Sequence, residues 1–270
     1  MSESAERSQS FTHLSIPQAY QTSLVAPLFA PWARILLDFV GVSAGALVLD
    51  VASGTGVVAH LAAERVGATG QVTASDISPA MLAVAQASRP SDTVRYLVCP
   101  ADALAVPNSS QDVVLCQYGL QFFPDKQAAM QEVRRVLRAG GTVGLLVWAA
   151  EQPLGLYGPM IEAVAPVIAE PFPRAYDARS YAMTADEVEA VLHAAGFKAI
   201  LVEQRSVTAT WETPAAAGAT ILATPHGPPF AGLSTDQQEE VQRALNTRLE
   251  PTLSGGVSCK TSAHLARAAA

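Results

Sequence analysis

A strand, a glycine turn and the start of a helix follow one another in Val48-Leu49-Asp50-Val51-Ala52-Ser53-Gly54-Thr55-Gly56-Val57-Val58-Ala59. Gly54 and Gly56 allow backbone torsions that other residues disfavour, and they let a ligand approach the main chain closely. The helix behind the turn presents free N–H groups at its first turn. Taken alone, Gly54-x-Gly56-x-x-Ala59 also fits the dinucleotide fingerprint, which is weak evidence by itself. The stretch predicts a nucleotide-like ligand lying across the turn.

Short apolar runs alternate with helical patterns on both sides of this stretch. The predicted strands cover residues 47–51, 71–76, 94–98, 112–116 and 141–148, and the predicted helices cover 57–65, 79–87 and 126–137. Continuous apolar strands separated by helices are typical of a parallel sheet covered on both faces. With two later strands at 198–211 and 257–267, we expect an α/β fold with a doubly wound, mostly parallel, seven-stranded Rossmann-like sheet.

Three regions are predicted along the chain. Residues 1–40 form an N-terminal helical lid, since a polar tail precedes a helical pattern that Pro27 and Pro31 interrupt. Residues 41–150 form the nucleotide-binding core, and residues 151–270 supply the remaining strands with a helical substrate cap. Within that last region, a capping box at Thr184 and Glu187 predicts a helix over 184–195.

Composition excludes several classes of protein. The net charge is −7 with no Lys/Arg cluster, which argues against nucleic acid and anionic lipid as partners. Three cysteines without C-x-x-C spacing predict neither a disulfide framework nor a metal site. The N-terminus lacks the layout of a signal peptide, and no apolar run approaches the roughly 20 residues that span a bilayer. We expect a cytoplasmic protein that does not bind membranes.

Three aspartates lie at or just after the ends of successive strands. Asp76 ends the second strand, where its carboxylate can accept hydrogen bonds from both hydroxyls of a ribose. That ribose occurs in NAD and in S-adenosylmethionine (SAM), so Asp76 does not separate them. Asp50 favours SAM, because a carboxylate there suits a positively charged amino acid end and is poorly placed beside a pyrophosphate, although a helix-capping or turn role is the alternative. Asp102 can accept from an adenine amino group, although an Asx turn would equally explain it.

Four motifs occur together and in order: Asp50-Val-Ala-Ser-Gly-Thr-Gly56, Asp76-Ile-Ser-Pro-Ala-Met81, Ala101-Asp-Ala103 and Glu132-Val-Arg-Arg-Val-Leu-Arg-Ala-Gly-Gly141. In this order the chain resembles the class I SAM-dependent methyltransferases, and looks most like the ubiquinone/menaquinone-biosynthesis type of small-molecule enzyme. The resemblance covers about residues 40–148. The chain departs from the family's usual motifs at two positions. Ala52 stands where the family usually has its first glycine, and Ala139 stands where a proline commonly precedes the paired glycines.

The resemblance implies SAM as cofactor and S-adenosylhomocysteine as product. It places the methionine end at the glycine turn, the ribose at Asp76, the adenine against Ile77 and Met81, and the sulfonium near Gln117. The implied cofactor-binding residues are Asp50, Ala52, Gly54, Thr55, Gly56, Asp76, Ile77, Met81, Ala101, Asp102, Ala103 and Gln117.

Residues after the fourth strand are expected to face the acceptor, because open α/β sheets bind ligands at the carboxyl edge. The candidates there are Tyr118, Gln121 and Phe122. Trp148, on the same edge, could form an apolar wall or simply pack in the core. Family members often close their N-terminal helices over the cofactor, which adds Tyr20 and Trp32 as lid contacts.

Methyl transfer is an in-line SN2 displacement in which the protein mainly aligns and desolvates, so a base is needed only for some acceptors. Tyr20 and His226 are the catalytic candidates, and His226 could equally be a structural loop histidine. A cap with few charges favours a small, flat, partly apolar acceptor of the kind met in secondary metabolism or quinone synthesis.

Two other functions remain open at this point. An NAD-dependent oxidoreductase would leave Asp50 and Asp102 without a role and lacks an evident Tyr-x-x-x-Lys pattern. A non-catalytic SAM-binding protein would keep the same cofactor loop. Apolar cap helices would allow a homodimer, but they could equally close over a substrate.

Overall fold

A mixed β-sheet forms the centre of the molecule. The computed structural model describes residues 15–151, 155–167, 182–224 and 230–270, so the predicted N-terminal tail and His226 lie outside the described residues, apart from Ser15. The strands are β1 (Leu47–Val51), β2 (Gln71–Asp76), β3 (Val94–Val98), β4 (Gln111–Gln117), β5 (Leu137–Ala149), β6 (Ala182–Met183), β7 (Lys198–Trp211), β8 (Glu250–Pro251) and β9 (Val257–Ala269).

The main path through the sheet has the order β3-β2-β1-β4-β5-β9-β7. Strands β1 to β5 are parallel to one another, and β9 runs antiparallel between β5 and β7. This confirms the doubly wound, mostly parallel sheet. The two-residue strands β6 and β8 raise the total to nine. The sequence analysis did not predict β6 and β8, because two residues are too few to show the alternation of apolar and polar residues that marks a strand.

Helices cover both faces of this sheet. They are α1 (Ser15–Ser23), α2 (Ala30–Val40), α3 (Val57–Val66), α4 (Pro79–Ser88), α5 (Lys126–Val136), α6 (Tyr157–Val164), α7 (Ala185–Ala194), α8 (Pro214–Gly218) and α9 (Thr235–Asn246). One hydrophobic cluster joins α2 and α3 to one face of the sheet, and a second joins α5 and α7 to the other. Alternate residues of β1 divide between them, with Val48 in the first cluster and Leu49 in the second.

Helix starts follow the capping residues in the sequence. The Thr184 hydroxyl accepts from the Glu187 N–H while the Glu187 carboxylate accepts from the Thr184 N–H, which confirms the predicted capping box of α7. Ser78 caps α4 in the same way by accepting from the Met81 N–H, with Pro79 as the first helical residue. These caps fix where α4 and α7 leave the edge of the sheet.

The start of β5 differs from the prediction. A helix to residue 137 and a strand from 141 were expected, but β5 begins at Leu137. The register on β4 shifts between the pairs Gln111↔Leu137 and Val113↔Thr142. Gly140 has φ 76°, so the Arg138-Ala-Gly-Gly141 segment forms an irregularity within one long strand.

The N-terminal helices pack against the sheet and the later part of the chain. A π-helical turn, Val25–Phe29, joins α1 to α2 and contains Pro27, while Pro31 lies in the first turn of α2. The indole N–H of Trp211, at the end of β7, donates to the Ser23 carbonyl at 3.2 Å. The division into lid, core and cap stays a prediction.

Across the described ranges, no one helix combines the length and apolar composition needed to cross a bilayer. Ile16–Ser23 and Val25–Val40 meet the criterion only as a pair, with a 53° bend between them.

Candidate functional site

A cavity of about 280 Å³ opens at the carboxyl edge of the sheet. Its lining includes the last residues of β1, β2 and β4, which are Val51, Asp76 and Gln117, and Trp148 near the end of β5. The parallel strand order brings these four positions together, although they are up to 97 residues apart in sequence. The cavity therefore occupies the edge where open α/β sheets bind ligands.

Asp76 connects the glycine turn to the second strand. One carboxylate oxygen accepts from the Gly54 N–H at 2.8 Å, and the other accepts from the Ser78 N–H at 2.8 Å. Burial raises the pKa of Asp76, and the backbone N–H bonds from Ser78, Gly54 and Ile77 oppose that rise. A carboxylate offers about four lone-pair sites, so these three donors leave one of them. Asp76 thus orders the turn and can still accept from a hydroxyl.

Apolar surface lies beside Asp76. Ile77 is 52% exposed and Met81 is buried, and both line the cavity together with Ala101 and Asp102. A half-exposed isoleucine next to a buried carboxylate suits a ligand that joins a flat apolar ring to a polyhydroxylated sugar. Ala52 and Gly54 line the same part of the cavity.

Asp50 lies below the glycine turn and does not belong to the described cavity lining. It is 1% exposed, and its Oδ2 accepts from the Ala59 N–H in the first turn of α3 at 3.0 Å. Burial raises the pKa of Asp50 well above its ordinary value, and the bond from Ala59 opposes this. Asp50 therefore supports the start of α3, and direct contact with a cofactor stays a prediction.

Thr55, Gly56 and Ala103 are likewise absent from the described lining. Around the turn, however, several buried oxygens lack a hydrogen-bond partner among the described residues: Asp50 Oδ1, Ser53 Oγ, Thr55 Oγ1 and Gln117 Oε1. Buried polar atoms are normally paired, so these oxygens could each accept from a donor that the described residues do not supply. The residues present fit a nucleoside with an amino acid tail.

An aromatic wall forms the other part of the cavity, and we define it as Tyr20, Phe29, Tyr118, Trp148 and Tyr157. Tyr20 stacks on Phe29 with ring centroids 4.8 Å apart, and Phe29 meets Tyr118 edge-on at 5.7 Å. Tyr118 stacks on Trp148 at 3.8 Å, and Trp148 meets Tyr157 edge-on at 6.3 Å. The wall offers flat, apolar surface for a second ligand.

Gln117 joins the two parts of the cavity. Its side-chain amide N–H donates to the Phe29 carbonyl at 3.1 Å, which ties the end of β4 to the N-terminal segment. Phe29 in turn stacks on Tyr20. The N-terminal segment thereby contributes Tyr20 and Phe29 to the cavity lining, and its role as a lid stays a prediction.

The family model of the ubiE/COQ5 methyltransferases matches residues 26–211. The chain belongs to this family. The match covers β1 to β5 and therefore the whole carboxyl edge that lines the cavity. Membership places the chain among the class I SAM-dependent methyltransferases, whose cofactor is SAM, and confirms the family to which the four sequence motifs pointed.

Relatives with similar sequences agree with this assignment. A ubiquinone/menaquinone biosynthesis C-methyltransferase of Xylella fastidiosa is 34% identical over 184 residues, 62% of this chain and 72% of the relative. An uncharacterised protein of Mycobacterium tuberculosis is 37% identical over 141 residues, 52% of this chain and 49% of the relative. The chain spans about half the length of several of these relatives.

Solved structures show the same fold. A SAM-dependent methyltransferase from Aquifex aeolicus has a TM-score of 0.54 at 15% identity, covering 92% of this chain and 96% of that one. A Haemonchus contortus phosphoethanolamine N-methyltransferase in complex with SAM has a TM-score of 0.63 at 20% identity, covering 100% of this chain and 60% of that one. At such low identity the likeness shows the fold alone.

The acceptor residues predicted for this methyltransferase separate into two groups. Tyr118, Phe122 and Trp148 line the cavity. Trp32 is fully buried, and its indole N–H donates to Thr261 Oγ1 at 3.0 Å, so it is a core residue of α2 and not a lid contact. Gln121 is 3% exposed, does not line the described cavity, and has no hydrogen-bond partner among the described residues.

Two members of the aromatic wall, Phe29 and Tyr157, were not predicted. Phe29 lies in the π-helical turn, and Tyr157 begins α6 in a proline-rich stretch. Neither position shows a periodic or motif signal. Only the pairing of distant segments brings the two rings to the cavity.

Tyr20 lines the cavity but is a poor base. Burial, with nearby Tyr157 and Asp76, raises its pKa well above the ordinary value, so the phenol stays neutral near pH 7. It can donate a hydrogen bond. His226 lies outside the described residues, and a catalytic role for it stays a prediction.

Backbone strain is concentrated where β1 and β4 end. Ala52 has φ 56° and Tyr118 has φ 57°, a left-handed conformation that costs a non-glycine residue about 1–3 kcal/mol. A Cβ added to Gly119 would lie 2.6 Å from the Ala52 methyl and 2.8 Å from Cys116 Sγ. The alanine that replaces the family's first glycine is therefore accommodated by a glycine on the neighbouring strand end.

Proposed function

We propose that this chain transfers the methyl group of SAM to a small, uncharged, flat and partly apolar acceptor by in-line displacement. The observation that carries the proposal is the single cavity that combines the Asp76 glycine-turn region with the aromatic wall. Two ligands bound in these two parts would meet near Gln117 and Ala52. The chain's own residues would bring them into contact and exclude water.

Each part of the cavity suits one ligand. Asp76 would hold the ribose, and Ile77 and Met81 would contact the adenine. The unpaired Gln117 Oε1 and Ser53 Oγ would accept hydrogen bonds from the ammonium group of the amino acid end. SAM, when bound, supplies a methyl group on a positively charged sulfur. The aromatic wall would place the acceptor against it, because rings stack on the exposed face of other rings.

The charges around the cavity favour an acceptor without negative charge. The charged residues in the described lining are Asp76, Asp102 and Asp125, and none of the described lining residues is Lys, Arg or His. A carboxylate or phosphate on the acceptor would lose its hydration here, and no cationic side chain in the described lining would pair with it. Several relatives are named ubiquinone/menaquinone biosynthesis C-methyltransferases, and a quinone-like ring matches the proposed chemistry.

The phenols of the aromatic wall would orient the acceptor as neutral hydrogen-bond donors and would not serve as bases. Burial raises the pKa of Tyr20, Tyr118 and Tyr157, the last to about 12, so all three are neutral donors near pH 7. The acceptor must therefore be nucleophilic without a phenolate base, as an electron-rich ring carbon is. If a base is required, His226 is the candidate that we propose.

Calorimetric titration of the purified chain with S-adenosylhomocysteine tests the cofactor site. We expect micromolar binding, no binding of NADH, and loss of affinity in Asp76→Ala. Asp92→Ala is the matched control, because Asp92 is exposed and absent from the described lining. Binding of NADH in place of S-adenosylhomocysteine would contradict the proposal.

Transfer of labelled methyl from SAM tests the acceptor class. We expect transfer to flat, uncharged phenols or quinols and little transfer to analogues bearing a carboxylate or phosphate. Transfer only to anionic acceptors would overturn the proposed charge selectivity. Tight cofactor binding without transfer to any acceptor would favour a non-catalytic SAM-binding protein.

A further inference from the structure

Tyr118 combines an unusual backbone with a fixed position. It follows β4 directly in a left-handed conformation with φ 57°, and its N–H donates to the Leu146 carbonyl at 2.7 Å. Strained non-glycine residues persist only where their surroundings hold them, and they cluster at functional sites. In this conformation Tyr118 belongs to the cavity lining.

Neighbouring rings hold the Tyr118 ring on two sides. Trp148 stacks on it with centroids 3.8 Å apart and planes 18° apart, and Phe29 meets it edge-on at 5.7 Å. These two contacts restrict rotation of the phenol side chain. The position of its hydroxyl is therefore fixed by packing.

The Tyr118 hydroxyl has no hydrogen-bond partner within the part of the chain that the structure describes, although the residue is only 7% exposed. A buried hydroxyl is costly to leave unpaired, and buried polar groups in native proteins are usually satisfied. The titratable groups that act on it are the phenols of Tyr20 and Tyr157, which also line the cavity. Burial raises the pKa of Tyr118, so the hydroxyl keeps its proton and can donate.

We propose that Tyr118 is a specificity residue whose hydroxyl donates a hydrogen bond to a ring oxygen of the acceptor, while Trp148 and Phe29 hold the phenol in place. The inference rests on the proposed function and assigns its selectivity to one residue: through Tyr118, a planar ring that carries oxygen binds more tightly than a bare hydrocarbon of the same shape. A site built to pair with a polar group discriminates against analogues that lack it.

The discriminating experiment compares two rings of nearly equal shape. The 270-residue chain, saturated with S-adenosylhomocysteine, is titrated with 2-naphthol and with naphthalene. We expect the wild-type chain to bind 2-naphthol about tenfold more tightly, the order of one hydrogen bond. In Tyr118→Phe we expect the two affinities to agree within about twofold, because the ring and its stacking remain and only the donor is lost.

Tyr96→Phe is the matched control. It removes the same atom from a phenol that pairs with the His60 ring at 2.8 Å and is absent from the described cavity lining. Its preference for 2-naphthol should equal that of the wild type. Thermal unfolding without acceptor gives a second readout: Tyr118→Phe should unfold at the same or a higher temperature, because an unpaired buried hydroxyl is removed.

The outcomes separate the inference from the proposed function. If the wild type binds S-adenosylhomocysteine but does not distinguish the two rings, or if Tyr118→Phe keeps the preference, the role of Tyr118 is overturned. A lower unfolding temperature of Tyr118→Phe without acceptor would also overturn it, since the hydroxyl would then serve a partner within the chain. Failure of the wild type to bind S-adenosylhomocysteine contradicts the proposed function itself.

Discussion

Ala52 occupies the turn after β1, where the family usually has glycine. Its φ of 56° costs an alanine about 1–2 kcal/mol, whereas glycine adopts this region freely but loses more chain entropy on folding. We expect Ala52→Gly to raise the free energy of unfolding by roughly 0.5–1 kcal/mol, measured by chemical denaturation. Affinity for S-adenosylhomocysteine should also rise, because the methyl lines the cofactor part of the cavity.

Ala199→Gly is the control for this substitution. Ala199 has a similar φ of 49° but lies on β7, outside the described cavity lining. It should stabilise the chain to a similar degree without changing cofactor affinity. A less stable Ala52→Gly variant would show that the turn prefers the alanine methyl beside Gly119.

If Asp76 binds the ribose as proposed, we expect cofactor binding to depend on pH. Burial raises its pKa, so it takes up a proton at a higher pH than an ordinary aspartate, whose pKa is near 3.9. Affinity for S-adenosylhomocysteine should fall as the pH is lowered through this raised pKa, because a protonated carboxyl loses part of its ability to accept from the ribose. Calorimetry in a series of buffers measures this. Asp76→Asn should bind weakly at every pH, and a parallel decline in that variant would assign the titration to another group.

Helix α5 holds the segment before β4 through one pair of side chains. Arg135 donates to the carbonyls of Leu104 at 2.8 Å and Val106 at 2.9 Å, and Glu132 accepts from the Leu104 N–H at 2.9 Å and pairs with Arg135. The side chain of Arg135 is 30% exposed and that of Glu132 is 22% exposed. We expect Arg135→Ala to lower the free energy of unfolding by about 1–2 kcal/mol, since charge-assisted bonds in partly buried surroundings are lost.

The stabilisation by the Arg135–Glu132 pair should also depend on pH. The hydrogen bond from Arg135 lowers the pKa of Glu132, so the stabilisation is present above the unfolded pKa and is lost as the pH falls through the lower folded value. The difference between wild type and Arg135→Ala should therefore shrink below about pH 4. Arg134→Ala, which loses one exposed bond to the Gly196 carbonyl, should change stability little at any pH.

Trp32 links the two ends of the chain. Its indole N–H donates to Thr261 Oγ1 on β9, 229 residues away, and the Thr261 hydroxyl donates in turn to the Val207 carbonyl on β7. We expect Trp32→Phe to lower the free energy of unfolding by about 1–2 kcal/mol, from the lost bond and the smaller ring. A double-mutant cycle with Thr261→Val should give a coupling of about 0.5–1 kcal/mol. Additive effects would mean that the bond does not join these elements.

Local patterns predicted most of the sheet and its helices. The cap at Thr184, the apolar runs of β1 to β4 and the glycine turn are signals that neighbours in sequence carry. Eight of the residues predicted to bind the cofactor line the cavity, because they lie at or after strand ends in order: Ala52, Gly54, Asp76, Ile77, Met81, Ala101, Asp102 and Gln117. Their contact with SAM stays a prediction. The start of β5 was misplaced, since the irregularity at Gly140 depends on pairing with β4.

The sequence alone determined the α/β architecture and the family, because strand and helix periods, turns and capping residues act over a few residues. Tertiary structure decided which side chains share the cavity. It placed Trp32 in the core against Thr261, Asp50 beneath the turn at Ala59, and Phe29 beside Tyr118. These contacts join segments distant in sequence or depend on how a turn folds back. Their geometry follows from packing and strand order, which no local pattern encodes.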